Sequence, residues 1–288
     1  MRLIMIRPAF YIEHEEVPQD RLLQSLLLME VSPHGMSYLV LNQQGREVLD
    51  AKYYVLPGPD SKSLSEKLRI IIDADPLLQS QFKEAAVLYN FPESQLVPDQ
   101  SFDLEINRDL IELAHGTVAK GLILSEKIPR HPAHNIYRVA ADVHSLFQQK
   151  FTAGRYWHIY TLWLCALKNY PPETDDHQPL VFVLFYPDTM LVSVYRKTKL
   201  QLVQSFSYQV AEDAVYYLLN ICRQLELSPE EALLVLSGYV QEDSVLLTEI
   251  KKYFLHCSMD AMPDNVSANF NPLPAHFFSP LLKMALCV

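Results

Sequence analysis

A chain of 288 residues, 49% of them apolar, can bury either one large core or two of ordinary size. Its formal charge of -10, with no run of Lys or Arg longer than a pair, argues against nucleic acid as the main partner, because phosphate contacts require a basic face. No window approaches the roughly 18 consecutive apolar residues of a membrane helix, and Met1–Arg7 is too short and too interrupted by arginine for a signal peptide, so neither membrane insertion nor export is expected.

Cys165, Cys222, Cys257 and Cys287 form no CxxC pair and are expected as buried hydrophobes in a reducing, cytoplasmic setting. Glycine occurs seven times, well under the usual frequency of about 7%. Loops that wrap phosphate need glycine for close backbone approach, and this chain has few places to build one.

A polar lead-in ends near Gln19-Asp20. Three strand-like runs follow: Leu26 to Val31, Met36 to Leu41, and Val48 to Leu56. Ser32-Pro33-His34-Gly35 and Asn42-Gln-Gln-Gly45 supply the turns between them, and connections this short require antiparallel neighbours. Pro57-Gly58-Pro59-Asp60 closes the meander. Ser61 or Ser63 is placed to cap a helix carrying Leu64, Leu68, Ile71 and Ile72 at helical spacing. Ala85 to Tyr89 then reads as a buried strand.

Between Asp103 and Lys168 the spacing predicts a helix over Leu104–His115, strands over Leu122–Glu126 and Asn135–Val139, and helices over Asp142–Phe151 and Tyr156–Leu167. Tyr170-Pro-Pro-Glu-Thr-Asp-Asp-His177 is polar and proline-containing, a natural boundary.

The first order then returns. Strands are predicted over Leu180–Tyr186, Met190–Tyr195 and Leu200–Val210, a helix over Glu212–Leu225, and a buried strand over Leu233–Leu236. A helix over Glu242–Phe254, a strand over Leu255–Met259 and a helix over Ala275–Leu286 complete the chain. Laying Pro33 on Pro187 brings Met36 onto Met190 and Tyr54 onto Tyr208 without a gap. The repeated order points to internal duplication: a first half over 1–170 with inserted material at about 103–168, and a second half over 178–288.

Three antiparallel strands, a helix and a parallel strand, given twice, resemble the actin-like ATPase (ribonuclease H-like) fold, an α/β class with two βββαβ(αβα) halves and mixed sheets. Leu96-Val97-Pro98, Tyr137-Arg138-Val139 leading into Asp142-Val-His-Ser-Leu-Phe147, and His158 are similar to a family of uncharacterised bacterial proteins, domain of unknown function 3822. That resemblance implies the actin-like fold and carries no activity.

The actin-like resemblance implies that ATP would lie between the halves. The first hairpin turn of each half would hold phosphate, typically through an Asp and a Gly, with the carboxylate acting through a bound metal ion. The first turn here has Gly35 but no acid, and the second has Asp188 and Thr189 but no glycine; each contains a proline, which removes an amide donor. The expected adenosine-side loop reduces to Gly238 in Leu236-Ser237-Gly238-Tyr239.

His131-Pro-Ala-His134 has a spacing that metals use, but the proline argues against one helix face presenting both rings. His144 and His158 fall on predicted helices among apolar residues and read as packed side chains. Tyr156, Tyr160 and Trp163 share a face at i, i+4, i+7 of a predicted helix, as a core face or as an exposed patch for a partner. Phe277-Phe278-Ser-Pro280-Leu281-Leu282 offers the same pair of readings.

Two functions follow. One is a non-catalytic interaction or scaffold protein on a degenerate actin-like fold, with no cofactor and another protein as partner. The other is an ATP-binding protein, or a weak ATPase or kinase, that holds ATP and Mg²⁺ through Gly35, Asp188, Thr189 and Gly238.

Overall fold

The computed structural model describes residues 6–12, 17–42, 44, 46–56, 58, 62–117, 120–169, 178–271 and 273–288. The chain divides into two compact units. The first comprises Met1–Asn169, Asp264–Asn271 and Leu281–Val288, and the second Tyr170–Pro263 and Pro272–Pro280. The assignment of 281–288 to the first unit departs from a second half that runs unbroken to 288. The expected caps and boundaries at Ser61 and at 170–177 lie outside the described residues.

In the first unit, β1 (Phe10–Tyr11) and α1 (Gln19–Leu22) precede the meander β2 (Ser25–Val31), β3 (Gly35–Asn42) and β4 (Glu47–Val55). Helix α2 (Leu64–Ala74) follows. Ser63 starts it with a full capping box: its hydroxyl accepts from the Glu66 amide, and the Glu66 carboxylate accepts from the Ser63 amide at 2.7 Å. Leu68, Ile71 and Ile72 stand at i, i+3 and i+4 on one helix face and are all buried, each contributing about 1.5–3 kcal/mol by leaving water. Strand β5 (Glu84–Tyr89) then lies parallel to β2.

Next come β6 (Ser94–Pro98), α3 (Asn107–His115), β7 (Leu122–Lys127) and β8 (Ala133–Val139), then α4 (Ala141–Lys150), β9 (Arg155–His158) and α5 (Ile159–Asn169). The main sheet runs β1-β4-β3-β2-β5-β9, and β6-β8-β7 form a separate antiparallel sheet.

The segment of the first unit without a counterpart in the second is therefore shorter than 103–168 and starts earlier. It spans β6 to β8, because α4 packs on α2 and β9 pairs in parallel with β5 in the main sheet. The helix expected from Tyr156 also begins later, at Ile159. Tyr156 and Trp157 are strand residues opposite Val87 and Leu88, so Tyr156 does not share a helical face with Tyr160 and Trp163. Tyr160 and Trp163 are buried, which leaves the core reading of that face.

The second unit contains β10 (Leu180–Phe185), β11 (Thr189–Arg196), β12 (Lys199–Ser207), α6 (Ala211–Gln224), β13 (Leu233–Gly238), α7 (Val245–Lys251) and β14 (His256–Met259), with sheet order β12-β11-β10-β13-β14. Helix α8 (Ser279–Ala285) is the last element. Phe277, Phe278, Leu281 and Leu282 are all buried, so that segment is no exposed patch.

Apart from β1, which has no counterpart in the second unit, the two sheets repeat one topology strand for strand. Their first hairpins match at a constant offset: Val31 faces Met36, and Phe185 faces Met190. Both second hairpins carry a bulge at the corresponding place, between Val40 and Leu41 and between Val194 and Tyr195. Beyond it the gapless superposition fails. The loop between β3 and β4 is two residues longer than the Lys197-Thr198 turn, so Tyr54, opposite Met36, corresponds to Phe206, opposite Met190, and not to Tyr208. Lys197 and Thr198 both have positive φ (48° and 61°), the conformation of a two-residue turn that follows strand twist.

Candidate functional site

The residues expected to hold nucleotide lie at the carboxyl ends of the central strands. In the first unit, Ser32-Pro33-His34 joins β2 to β3. The Ser32 amide donates to the Gly35 carbonyl at 2.9 Å, and the Ser32 hydroxyl accepts from the amides of His34 (3.2 Å) and Gly35 (3.0 Å). Pro33 has no amide hydrogen. The turn's backbone donors are thus spent within the turn. A Cβ on Gly35 would stand 2.6 Å from the Tyr53 hydroxyl, so this glycine makes room for a side chain of β4. The nearby carboxylate, Glu30, receives the Asn90 side-chain amide at 2.8 Å.

In the second unit, Tyr186-Pro187-Asp188 joins β10 to β11. The Tyr186 amide donates to the Thr189 carbonyl at 2.8 Å. Tyr208 closes the turn from the side: its amide donates to the Asp188 carbonyl at 2.9 Å and its hydroxyl to the Tyr186 carbonyl at 2.5 Å. Burial, with the Asp188 charge adding to it, pushes the Tyr208 phenol up to about 12. Gly238, at the end of β13, sits opposite Phe185 with φ +77°, and a Cβ there would lie 2.2 Å from the Phe185 carbonyl oxygen. The glycine is required by the sheet itself.

The structure therefore brings Asp188, Thr189 and Gly238 to one sheet end of the second unit. The rings of Tyr186 and Tyr239 stand 6.3 Å apart there, and Tyr239 stands 5.6 Å from Phe277. Gly35 occupies the matching place in the first unit. The donor set fits phosphate poorly: the first turn has committed its amides to Ser32, and each turn has a proline where an amide would help.

The histidine pair does not converge on a metal. His134 lies on β8, stacks on Phe102 at 3.7 Å and approaches Asp99 at 3.2 Å, whereas His131 lies in the preceding turn. No group of three or more His, Cys, Asp or Glu suited to a metal occurs among the described residues.

Two polar clusters in the first unit escape a linear reading. The first surrounds Asp75, the residue that ends α2. Its Oδ2 accepts from Tyr54 (2.5 Å), Tyr38 (2.9 Å) and Lys52 (3.0 Å), and its Oδ1 from the Leu77 amide (3.0 Å). Burial works to raise the Asp75 carboxyl, but the Tyr54 bond and the Lys52 charge prevail and hold it below the usual range. The cluster borders a cavity of about 270 Å³ that Arg7 and Ile71 also line.

The second cluster gathers residues of the family-like motifs. Glu126 accepts the His158 amide on Oε1 (2.8 Å) and the Tyr137 hydroxyl on Oε2 (3.2 Å). His158 is fully buried; its Nε2 donates to the Phe91 carbonyl (2.9 Å) and its Nδ1 accepts from the Tyr160 amide (3.2 Å). Both ring nitrogens are used, so this histidine is a fixed neutral strut. Burial lowers it to about 4. Burial also pushes Glu126 up to about 7, against the bonds from Thr161, His158 and Tyr137. Beside them the Tyr89 hydroxyl bonds His144 Nδ1 at 2.7 Å, and Tyr156 stacks on Tyr89 at 6.2 Å. The Glu126–His158 bond ties the β6-β8-β7 sheet to β9, the Tyr89–Tyr137 ring contact at 6.5 Å ties it to β5, and Tyr89 in turn holds α4 through His144.

No helix among the described residues is long and apolar enough to cross a membrane. No curated protein matches the chain. A Bacteroides thetaiotaomicron protein with an actin-like ATPase fold and unknown function is similar in structure, with a TM-score of 0.75 at 18% identity, covering 93% of this chain and 99% of that one. The PilM–PilN type IV pilus biogenesis complex contains a chain similar at a TM-score of 0.58 and 10% identity, covering 91% and 98%. These likenesses establish the actin-like ATPase fold. The model of the protein of unknown function family DUF3822 matches residues 14–257, and the chain belongs to that family.

Proposed function

We propose that this chain is a protein-interaction module built on an actin-like fold that has given up nucleotide. The observation that carries the reading is the first turn, where one serine hydroxyl takes the amides of His34 and Gly35 and Pro33 has none to offer. Actin-like phosphate binding depends on such amides. The repeated sheet order and the shared bulge position support an origin by duplication, in which the copies kept their topology and lost the motif. The PilM–PilN complex supports a protein as the partner class, since a chain of similar fold occurs there with another protein.

A second reading has its own support. Asp188, Thr189 and Gly238 share one sheet end, where α/β sheets commonly place ligands, and this favours residual ATP binding with Mg²⁺. Thermal unfolding of the purified protein with millimolar ATP or ADP and Mg²⁺ separates the two. The expected outcome is an unchanged melting temperature. A ligand at about 100 times its dissociation constant adds roughly 2.7 kcal/mol, so a clear rise that Asp188→Ala abolishes would establish the second reading in place of the first.

A further inference from the structure

The four cysteines divide into two unlike pairs. Cys222 and Cys257 lie in the second unit, where burial raises both thiols, Cys222 to about 11, and leaves them unreactive. Cys165 and Cys287 lie in the first unit and face each other. Cys165 is on the inner side of α5, 5% exposed, and Cys287 is partly exposed just beyond α8.

Asn169, one turn after Cys165, directs its side-chain amide at both sulfurs, 3.7 Å from Cys165 Sγ and 3.3 Å from Cys287 Sγ. Arg130 bonds the Asn169 carbonyl oxygen and orients that amide. The hydrogen bond between the two thiols, with the Arg130 charge and Asn169 acting in the same direction, holds the Cys165 thiol below its ordinary range against the effect of burial. Cys287, as the donor, is held high. One sulfur is thus prepared as a nucleophile and the other rests against it. Ordinary buried thiols lack this arrangement.

We propose that Cys165 and Cys287 are an oxidation-sensitive pair that a hydroperoxide closes to a disulfide, fastening residue 287 to α5. The Cys165 thiolate attacks the peroxide O–O bond, which breaks; the sulfur becomes a sulfenic acid, and the leaving hydroxide takes a proton to become water. Cys287 sulfur then attacks Cys165 sulfur. The S–O bond breaks, the hydroxyl leaves with the Cys287 proton as a second water, and the S–S bond forms. Two thiols are oxidised by two electrons and one hydroperoxide is reduced. A dithiol reductant reverses the change.

The full chain is treated with hydrogen peroxide at about tenfold molar excess, and free thiols are counted after unfolding in denaturant. The count is expected to fall from four to two, with a dithiothreitol-sensitive link between the peptides carrying Cys165 and Cys287. The bridge spans more than a hundred residues, and the melting temperature is expected to rise by about 5–10 °C. In Cys287→Ala the cross-link is absent and Cys165 accumulates as sulfenic acid, trapped by dimedone. Four surviving thiols in the wild type, oxidation centred on Cys222 or Cys257, or a link between two chains would each overturn the proposal.

Discussion

The two units share a sheet order and a bulge position, yet their third strands live in different surroundings. Strand β4 is buried along most of its length, and β1 pairs along its outer edge at Phe10–Tyr53 and Tyr11–Lys52. Strand β12 alternates between half-buried and exposed, and it forms the edge of its sheet. The contrast reaches single side chains. Where the first unit has Tyr54 bonded to Asp75, the second has Phe206 packed on Tyr217 at 4.9 Å. The two sheets have the same strand order, yet the first unit has a buried polar network where the second is apolar. A third difference is the segment from β6 to β8, which follows β5 in the first unit, where the second has only the short Tyr239–Ser244 link into α7.

The largest effect is expected at Gly238, one of two glycines that occupy the ends of the two sheets for different reasons. Gly238→Ala puts a Cβ into the Phe185 carbonyl at a left-handed φ, and rigid backbone gives no relief, so a loss of about 3–5 kcal/mol is expected. Gly35→Ala meets the far end of Tyr53, a side chain that moves, and is expected to cost about 1–3 kcal/mol. Urea unfolding midpoints compare the two directly. Equal losses would remove the distinction.

Next is Asp75→Ala, which leaves Tyr38, Tyr54 and Lys52 without their common acceptor. Its expected cost is about 3 kcal/mol. Phe206→Leu, at the corresponding place of the second unit, removes only packing and is expected to cost about 1 kcal/mol. Calorimetry on both variants would sink the idea of a polar first unit and an apolar second if the ranking were reversed.

The inserted segment permits a subtler test. Glu126 titrates at about 7 in the folded protein against an ordinary 4.5, so the folded state keeps a proton that the unfolded chain releases. Its contribution therefore falls as pH rises from 4.5 to 7. His158 is lowered from 6.5 to about 4, so the folded state has given up a proton that the unfolded chain still holds, and its contribution rises with pH from 4 to 6.5. The two slopes oppose each other across most of one window. Glu126→Gln leaves the histidine slope exposed, and stability is expected to climb by about 1–2 kcal/mol more than in the wild type between pH 4.5 and 6.5. Parallel pH profiles for the two proteins would rule this out.

Ser32→Ala is expected to have the smallest effect, about 1 kcal/mol, since it removes a solvent-side hydroxyl that holds two amides. Its value lies in ligand binding. If those amides are what the serine withholds, the variant gains a measurable response to millimolar phosphate by thermal shift, and the wild type does not.

Much of the fold was legible because hairpin strands and capped helices are local. Leu26 to Val31, Met36 to Leu41 and Leu180 to Tyr186 each lie within one or two residues of their strands, and Ser63 announces α2. The misreadings have physical causes. Tyr156 to Leu167 is apolar and aromatic throughout, so neither a period of 2 nor one of 3.6 marks the change at Ile159 from β9 to α5. Strand β6 is short and ends in Pro98, which hides it. The two-residue difference between hairpin loops is invisible without the register.

The site was legible in part. Asp188, Thr189 and Gly238 meet at one sheet end, as strand order alone implies. What closes the first turn is a hydroxyl rather than a missing acid, and that is a matter of hydrogen geometry. The Glu126 cluster was hidden by distance along the chain: its carboxylate accepts an amide 32 residues away, and Tyr89 reaches His144 across 55.

The Ser32 hydroxyl has one more consequence on the proposed reading. Its oxygen sits on the two amides as an anion's oxygen would, but it is covalently tethered and never diffuses away. It behaves as an internal competitive inhibitor, with an effective concentration above the millimolar range set by its short tether. A free phosphate would have to displace a ligand that the chain itself supplies, at every encounter and at any dilution of the protein.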